Sequence, residues 1–164
     1  MATVYIGIGS NLGDRKKNCF RAIELLQEKG INVTKSSSLY ETEPWGVKNQ
    51  PRFINMAIEI ETKLKPKKLL RILKDIEREM GRNESTKWSQ RIIDLDILLF
   101  DNIVLNEDNL KIPHPLMHER DFVLIPLCEI APHLKHPVLK LTVEELMQKF
   151  PNPISPDLVP PSAD

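Results

Sequence analysis

Between residues 53 and 62 apolar and polar side chains alternate: Ile54, Met56, Ile58 and Ile60 fall on one face, and Phe53, Asn55, Ala57 and Glu59 on the other. A period of two predicts a strand whose first face lies in the core. The period lengthens over 66–80, where Leu69, Leu70, Leu73, Ile76 and Met80 form a helical stripe. Pro66 suits the first turn of that helix and Gly81 its end. Residues 3–8 are rich in β-branched and aromatic side chains and predict a first strand, closed by Gly9-Ser10-Asn11. Asp14 is placed to cap a helix running to about residue 29, with Phe20, Ile23 and Leu26 on its apolar face and Gly30 as terminator. Further strands are expected over 31–40, 92–100 and 110–112. Asp101-Asn102 would turn the strand over 92–100 into a hairpin partner at 103–105. Helical stretches are expected over 116–120, 123–130 and 142–150, the last opened by the capping-box pattern Thr142-x-x-Glu145. Residues 41–52 and 82–90 show no period and read as loops.

The β-α-β-β-α-β order with mostly antiparallel pairing predicts an α+β chain, a ferredoxin-like α/β/α sandwich with a mainly antiparallel sheet. At 164 residues one core is expected, filling a single domain over 1–150. Five of the thirteen prolines fall in 151–164, which reads as an extended tail. Lys plus Arg and Asp plus Glu balance at 23 each, so no bulk field draws the chain to nucleic acid or acidic lipid. No apolar run reaches the length of a membrane span, and MATVYIGIGS has no basic-then-apolar leader pattern. The two cysteines, Cys19 and Cys128, fall in helical and apolar patterns and read as reduced core thiols. A cytoplasmic protein is expected, monomeric by default.

The line with most chemistry is Arg91-Ile92-Ile93-Asp94-Leu95-Asp96-Ile97-Leu98. On a strand Asp94 and Asp96 share a face, with Cα atoms about 6.6 Å apart, while Ile93, Leu95 and Ile97 point the other way. Two carboxylates in an apolar strand need a cation or strong hydrogen bonds, and paired oxygen ligands suit Mg²⁺ completed by phosphate and water. The same pair could also line an edge strand and face water. Arg82, Lys87 and Arg91 gather near the strand's entrance with Trp88, and Arg120 lies further on. Guanidiniums beside a carboxylate pair fit a metal–polyphosphate site, or a solvated ion-pair network. Phe53 and Asn55 could stack on a flat heterocycle and bond its edge, or cover a second packing layer. His114, fixed between Pro113 and Pro115, could contact a ligand; His118, His133 and His136 show no ligand spacing. The turn Gly7-Ile8-Gly9-Ser10-Asn11-Leu12-Gly13 lacks a phosphate-loop Lys and reads as a packing device.

Four segments occur in one order: Gly9-Ser10-Asn11-Leu12-Gly13-Asp14, then Tyr40-Glu41-Thr42-Glu43-Pro44-Trp45-Gly46, Gln50-Pro51-Arg52-Phe53-Ile54-Asn55, and Arg91-x-x-Asp94-Leu95-Asp96. Together they resemble 6-hydroxymethyl-7,8-dihydropterin pyrophosphokinase, over about residues 3–135. That family moves diphosphate from ATP to a pterin alcohol in folate biosynthesis, giving the pterin methyl diphosphate and AMP. The resemblance implies that Asp94 and Asp96 ligate two Mg²⁺ ions and that Arg82 and Arg91 hold phosphate oxygens. It further implies that His114 and Arg120 contact ATP, that Trp88 closes over the site, and that Glu77 is a supporting acid at the nucleotide. The pterin would stack between Phe53 and Phe122, its polar edge read by Asn55 and by the backbone around Thr42 and Trp45. Ser89-Gln90 departs from the Gly/Ala-Pro that usually precedes the arginine of the Asp-x-Asp strand. Two rivals share these residues: a two-metal phosphohydrolase, and a binding module of the same fold without turnover. Substrates would be small molecules, with no nucleic acid or membrane involved.

Overall fold

The computed structural model describes residues 1–42, 52–81 and 92–150, together with the backbone of 157–158. Strand β1 (Ala2–Ser10) is flanked by β4 (Phe53–Thr62) on one side and β5 (Asp94–Phe100) on the other, both antiparallel to it. Along the far edge of β4 run β2 (Asn32–Ser36) and then β3 (Tyr40–Thr42). A separate ribbon pairs β6 (Leu105–Glu107) with β7 (Leu110–Ile112), and β8 (Asp157–Leu158) adds to the outside of β3. Helices α1 (Arg15–Glu28) and α2 (Pro66–Glu79) cover one face of the sheet, and α3 (Asp121–Ile130) and α4 (Val143–Met147) the other. This is the expected α+β sandwich, with β-α-β-β-β-α-β in place of the simpler order.

Alternation divides the sheet between two cores. Val4, Ile6 and Ile8 of β1 and Ile54, Met56, Ile58 and Ile60 of β4 pack with Leu69, Leu73 and Ile76 of α2 and with Cys19 and Leu26 of α1. Each such side chain contributes roughly 1.5–3 kcal/mol by leaving water. On the opposite face Tyr5, Ala57 and Leu98 pack beneath Leu124, Leu127, Val143 and Leu146. The register between β1 and β5 slips at Tyr5/Ile6, so that Leu98 is an extra residue in β5. That bulge turns both Leu98 and Leu99 to the second core and returns Phe100 to the first. Before it, Leu95 and Ile97 lie in the first core, so Asp94 and Asp96 share the second face.

Several local expectations are corrected. The strand over 31–40 divides into β2 and β3, because its register on β4 slips at Val33/Lys35 and Ser37 then bonds Ala57 through both backbone and hydroxyl. Asp101 and Asn102 do form a turn, but 103–105 does not return along β5, whose partner is β1; Leu105 instead begins the ribbon with β7. Phe20 is 45% exposed, since α1 turns Cys19, Ala22, Leu25 and Leu26 inward. Cys128 is only partly buried, at the margin of the second core. The stretch over 116–120 is a single 3-10 turn at Met117–Glu119, α3 begins at Asp121, and α4 ends at Met147. Asp14 caps α1 by accepting from the Lys17 amide, and Thr142 and Glu145 form the reciprocal capping box of α4. Gly81 takes the left-handed φ of 93° that closes α2, a conformation costly for any residue with a Cβ.

The loop before α4 carries a pH-sensitive joint. The Nδ1 of His136 accepts from the amides of Val138 at 3.2 Å and Leu139 at 3.1 Å, so the fold holds the neutral ring. Burial, and then the neighbouring His118, lower its pKa from the ordinary 6.5. A depressed folded pKa means this contribution is complete above about pH 6.5 and is lost as the pH falls through the lowered value. The melting temperature is expected to drop between pH 7 and 5 more steeply in the native chain than in His136→Gln. Parallel thermal melts across that range would remove the assignment.

Candidate active site

The site grows from the cross-strand register. Gly9 lies opposite Asn55 on β4 and opposite Asp94 on β5, and Gly7 opposite Ala57 and Asp96. The alternation of β1 puts both glycines on the second face; above Gly7 the Leu98 side chain lies 3.5 Å from where a Cβ would stand, while at Gly9 a shallow trough with no β1 side chain separates Asp94 from Asn55 and Phe53. A Cβ on Gly9 would stand 3.0 Å from Asn55 Oδ1 and 3.5 Å from Phe53 Cδ1. Of the opening glycines, Gly9 thus serves the site and Gly7 the packing of Leu98.

On the β4 side, Asn55 Nδ2 donates to Thr42 Oγ1 at 2.7 Å. Thr42 is buried and pairs with Phe53 across β3 and β4. The bond orients the Asn55 amide, leaving Oδ1 as the acceptor above Gly9. Phe53 and Asn55 are half-buried, as an aromatic and an amide available to a flat heterocycle would be.

On the other side, β5 is an edge of the sheet, and its Leu95 amide is taken up by the buried Glu77 of α2, whose Oε2 accepts at 2.9 Å. Glu77 therefore grips the residue between the two aspartates, and its Oε1 lies 3.4 Å from Lys74 Nζ. Loss of solvent around Asp96, with Asp94 and Glu77 beside it, pushes its carboxyl well above the ordinary range; Lys74 and Arg120 act the other way. A cation at Asp96 would favour its ionised form. Two hard oxygen donors that a cation would relieve fit Mg²⁺, which usually takes one or two carboxylates and leaves the rest of its shell to phosphate and water. Among the described residues no third His, Cys, Asp or Glu converges to make an all-protein cage.

His114 follows the cis peptide bond Ile112-Pro113, and its amide donates to Leu98 O at 3.0 Å, which ties β7 to β5. Its Nδ1 accepts from the Leu116 amide at 3.3 Å, so the ring presents an Nε2–H donor. Burial and the nearby Arg120 lower the His114 pKa to about 4, against the pull of Asp94, so the ring is neutral at physiological pH. The Arg120 guanidinium lies 5.7 Å from the centroid of the Phe122 ring at the start of α3, on the face that carries the aspartates.

Glu77, Asp94, Asp96, His114 and Arg120 thus fall within one electrostatic neighbourhood, and Thr42, Phe53 and Asn55 gather across the glycine trough. Arg82, Trp88 and Arg91, Trp45 and the Ser89-Gln90 departure lie outside the described residues. Sequence reasoning passed over Lys74 and the place of Gly9 between Asn55 and Asp94. It also missed the contact of Arg15 with Glu41, since no pattern joins the start of a helix to a strand 26 positions on.

Residues 5–132 match the family model described as 7,8-dihydro-6-hydroxymethylpterin-pyrophosphokinase (HPPK). Among curated proteins, the chain is 44% identical over 145 residues to the 2-amino-4-hydroxy-6-hydroxymethyldihydropteridine pyrophosphokinase of Aquifex aeolicus, covering 88% of this chain and 90% of that one. It is 48% identical over 128 residues to the protein of the same name from Bacillus subtilis, covering 77% of each. The fold is shared with the crystal structure of wild-type Plasmodium falciparum HPPK-DHPS at a TM-score of 0.72 and 18% identity, over 91% of this chain. This chain spans 44% of the length of that one. With a family model matched from the first strand to beyond α3 and relatives at this identity, the chain belongs to the 7,8-dihydro-6-hydroxymethylpterin-pyrophosphokinase family.

Proposed function

We propose that this chain transfers diphosphate from Mg-ATP to the hydroxymethyl group of 6-hydroxymethyl-7,8-dihydropterin, a step of folate biosynthesis. The alcohol oxygen attacks the β-phosphorus and gives up its proton to solvent, the bond from that phosphorus to the α,β-bridging oxygen breaks, and AMP leaves with that oxygen. The observation that carries the reading is the pairing, on one sheet face, of two aspartates two residues apart with a polar, aromatic-flanked trough. The family's name accounts for both halves: one for a nucleotide diphosphate, the other for a flat pterin.

In this reading Asp94 and Asp96 hold two Mg²⁺ ions, which when bound neutralise phosphate charge. Glu77 keeps the aspartates in place through Leu95. The Nε2–H of His114 and the guanidinium of Arg120 donate to ATP, with Arg82 and Arg91 as further phosphate donors and Trp88 covering the nucleotide. The pterin stacks between Phe53 and Phe122. Asn55 Oδ1 accepts from its edge, and Thr42 and Trp45 supply backbone contacts. A weak alcohol nucleophile needs alignment and charge neutralisation above all, and fixed donors provide both without reorganising. The substrates are small molecules taken from solution by a cytoplasmic monomer, with 1–150 as the catalytic unit and 151–164 as an appended tail. Among the described residues no helix is long and apolar enough to cross a membrane.

The test is to mix the protein with Mg-ATP and the pterin alcohol and separate the nucleotides. AMP is expected in step with pterin diphosphate, and only when pterin is present. ADP with free phosphate would replace this reading with hydrolysis.

A further inference from the structure

On the sheet face opposite the trough, where α1 packs, three charged side chains from three separate segments meet: Glu41 pairs with Ile54 of the first core, so its carboxylate lies on the α1 side. Arg15, the first residue of α1, reaches Glu41 of β3 with Nη2 2.7 Å from Oε2, and its Nη1 donates to the backbone carbonyl of Arg52 at 2.7 Å. The Arg52 side chain returns to Glu41, with Nη1 3.3 Å from Oε1 and Nη2 3.4 Å from the carbonyl oxygen. Each Glu41 oxygen thus takes one guanidinium, and Arg15 holds both the side chain of 41 and the main chain of 52. All three side chains are partly shielded, at 25–36% exposure, which places them above the ordinary surface pair in strength.

Their place in the chain is what gives them a role. Glu41 and Arg52 immediately precede Thr42 and Phe53, which are register partners at the ends of β3 and β4. Asn55, bonded to Thr42, lies one step inward. A change in the spacing of those two strand ends moves the Thr42–Asn55 bond and the Phe53 ring together. A second, independent sign is that α1 opens with Arg15, Lys16 and Lys17 and has no acidic residue in its first turn. Cations there oppose the helix dipole, so Arg15 goes against the local rule and recovers the loss through Glu41.

We infer that Arg15, Glu41 and Arg52 form an ionic clamp that positions the heterocycle half of the site: positioning residues that touch no substrate but set the separation of Thr42, Phe53 and Asn55. The inference rests on the pterin site proposed above. The clamp governs affinity for the uncharged pterin and leaves the nucleotide half, on the far side of Gly9, unaffected.

The test measures two affinities on each variant by calorimetry: that for Mg-bound non-hydrolysable ATP analogue, and then that for 6-hydroxymethyl-7,8-dihydropterin. Glu41→Gln and Arg15→Met are each expected to weaken pterin binding about tenfold, and the double variant by no more than either single, since both break one unit. Arg15→Lys keeps a charge but cannot bridge two acceptors, and falls between. Nucleotide affinity and kcat at saturating pterin stay within about twofold. Because the ligand is uncharged, its affinity in the native chain should weaken with added salt and lose that dependence in Glu41→Gln. Pterin affinities unchanged in both single variants, or pterin and nucleotide affinities falling together with the melting temperature, would overturn the clamp. A native chain that binds nucleotide but no pterin would overturn the pterin site itself, a separate and visible failure.

Discussion

Asp94→Ala is expected to lower diphosphate transfer at least about a thousandfold, the effect of losing roughly 4 kcal/mol of transition-state charge stabilisation, while the apo fold survives. Both aspartates lie on the trough face at the edge strand, so neither supports a core. Asp96→Asn separates function from stability more sharply. Its carboxyl is held above the ordinary range by desolvation and by Asp94 and Glu77. A raised carboxylate pKa means that the ionised apo protein loses stability as the pH climbs from the unfolded value of 3.8 toward the folded one. Asparagine carries no such penalty, so at pH 8 without metal the variant should melt higher than the native chain, by about 2–4 °C for each kcal/mol relieved. Adding Mg-ATP should reverse that order, because only the native pair gains from the cation. An Asp94→Ala protein retaining more than a tenth of native turnover would remove the metal assignment. An Asp96→Asn protein melting below the native chain without metal would remove the account of its charge.

Gly9→Val is the second large expected effect. A Cβ at this position already stands 3.0 Å from Asn55 Oδ1, and two further methyls project into the trough between Asn55 and Asp94. The strand itself tolerates valine, and β propensity favours it over glycine. The fold should therefore hold while pterin affinity falls by about a hundredfold or more, since the new methyl groups occupy ligand space and push on the amide that reads the ligand. Gly9→Ala, which requires Asn55 to give by a few tenths of an ångström, should fall between the two. Mg-nucleotide binding provides the internal control. A Gly9→Val chain that binds pterin within twofold of the native value would show that the trough is not the heterocycle site.

Both predictions start from residues whose significance is unequally legible in the sequence. Asp94 and Asp96 stand out because paired carboxylates at a spacing of two interrupt a strand of Ile and Leu, and Phe53 and Asn55 because an aromatic and an amide share the face opposite the core stripe. The local elements were equally open to reading: the alternation of 53–62, the Leu69–Leu73–Ile76 stripe, the Asp14 cap and the Thr142–Glu145 box each rest on interactions within a few residues. Where the pattern misled, a distant partner had decided. Phe20 sits on the helical stripe but faces outward, because α1 is rolled to bring Cys19 and Ala22 against the sheet. The expected hairpin after Phe100 does not form, because Leu105 takes Ile112 of β7 as its partner and leaves β5 at the sheet edge.

By itself the sequence determined the main strands and helices, the two-carboxylate motif, the aromatic and amide of β4 and, through four ordered segments, the family. Only the tertiary structure decided that Gly9 lies between Asn55 and Asp94, that Glu77 closes the β5 edge at Leu95, and that Arg15 reaches across to Glu41 and Arg52. The physical reason is range. Propensity, periodicity and capping act over three or four neighbours and leave a mark in the order of residues. A hydrogen bond or ion pair between segments 18 or 37 positions apart leaves none until the sheet register has brought its ends together.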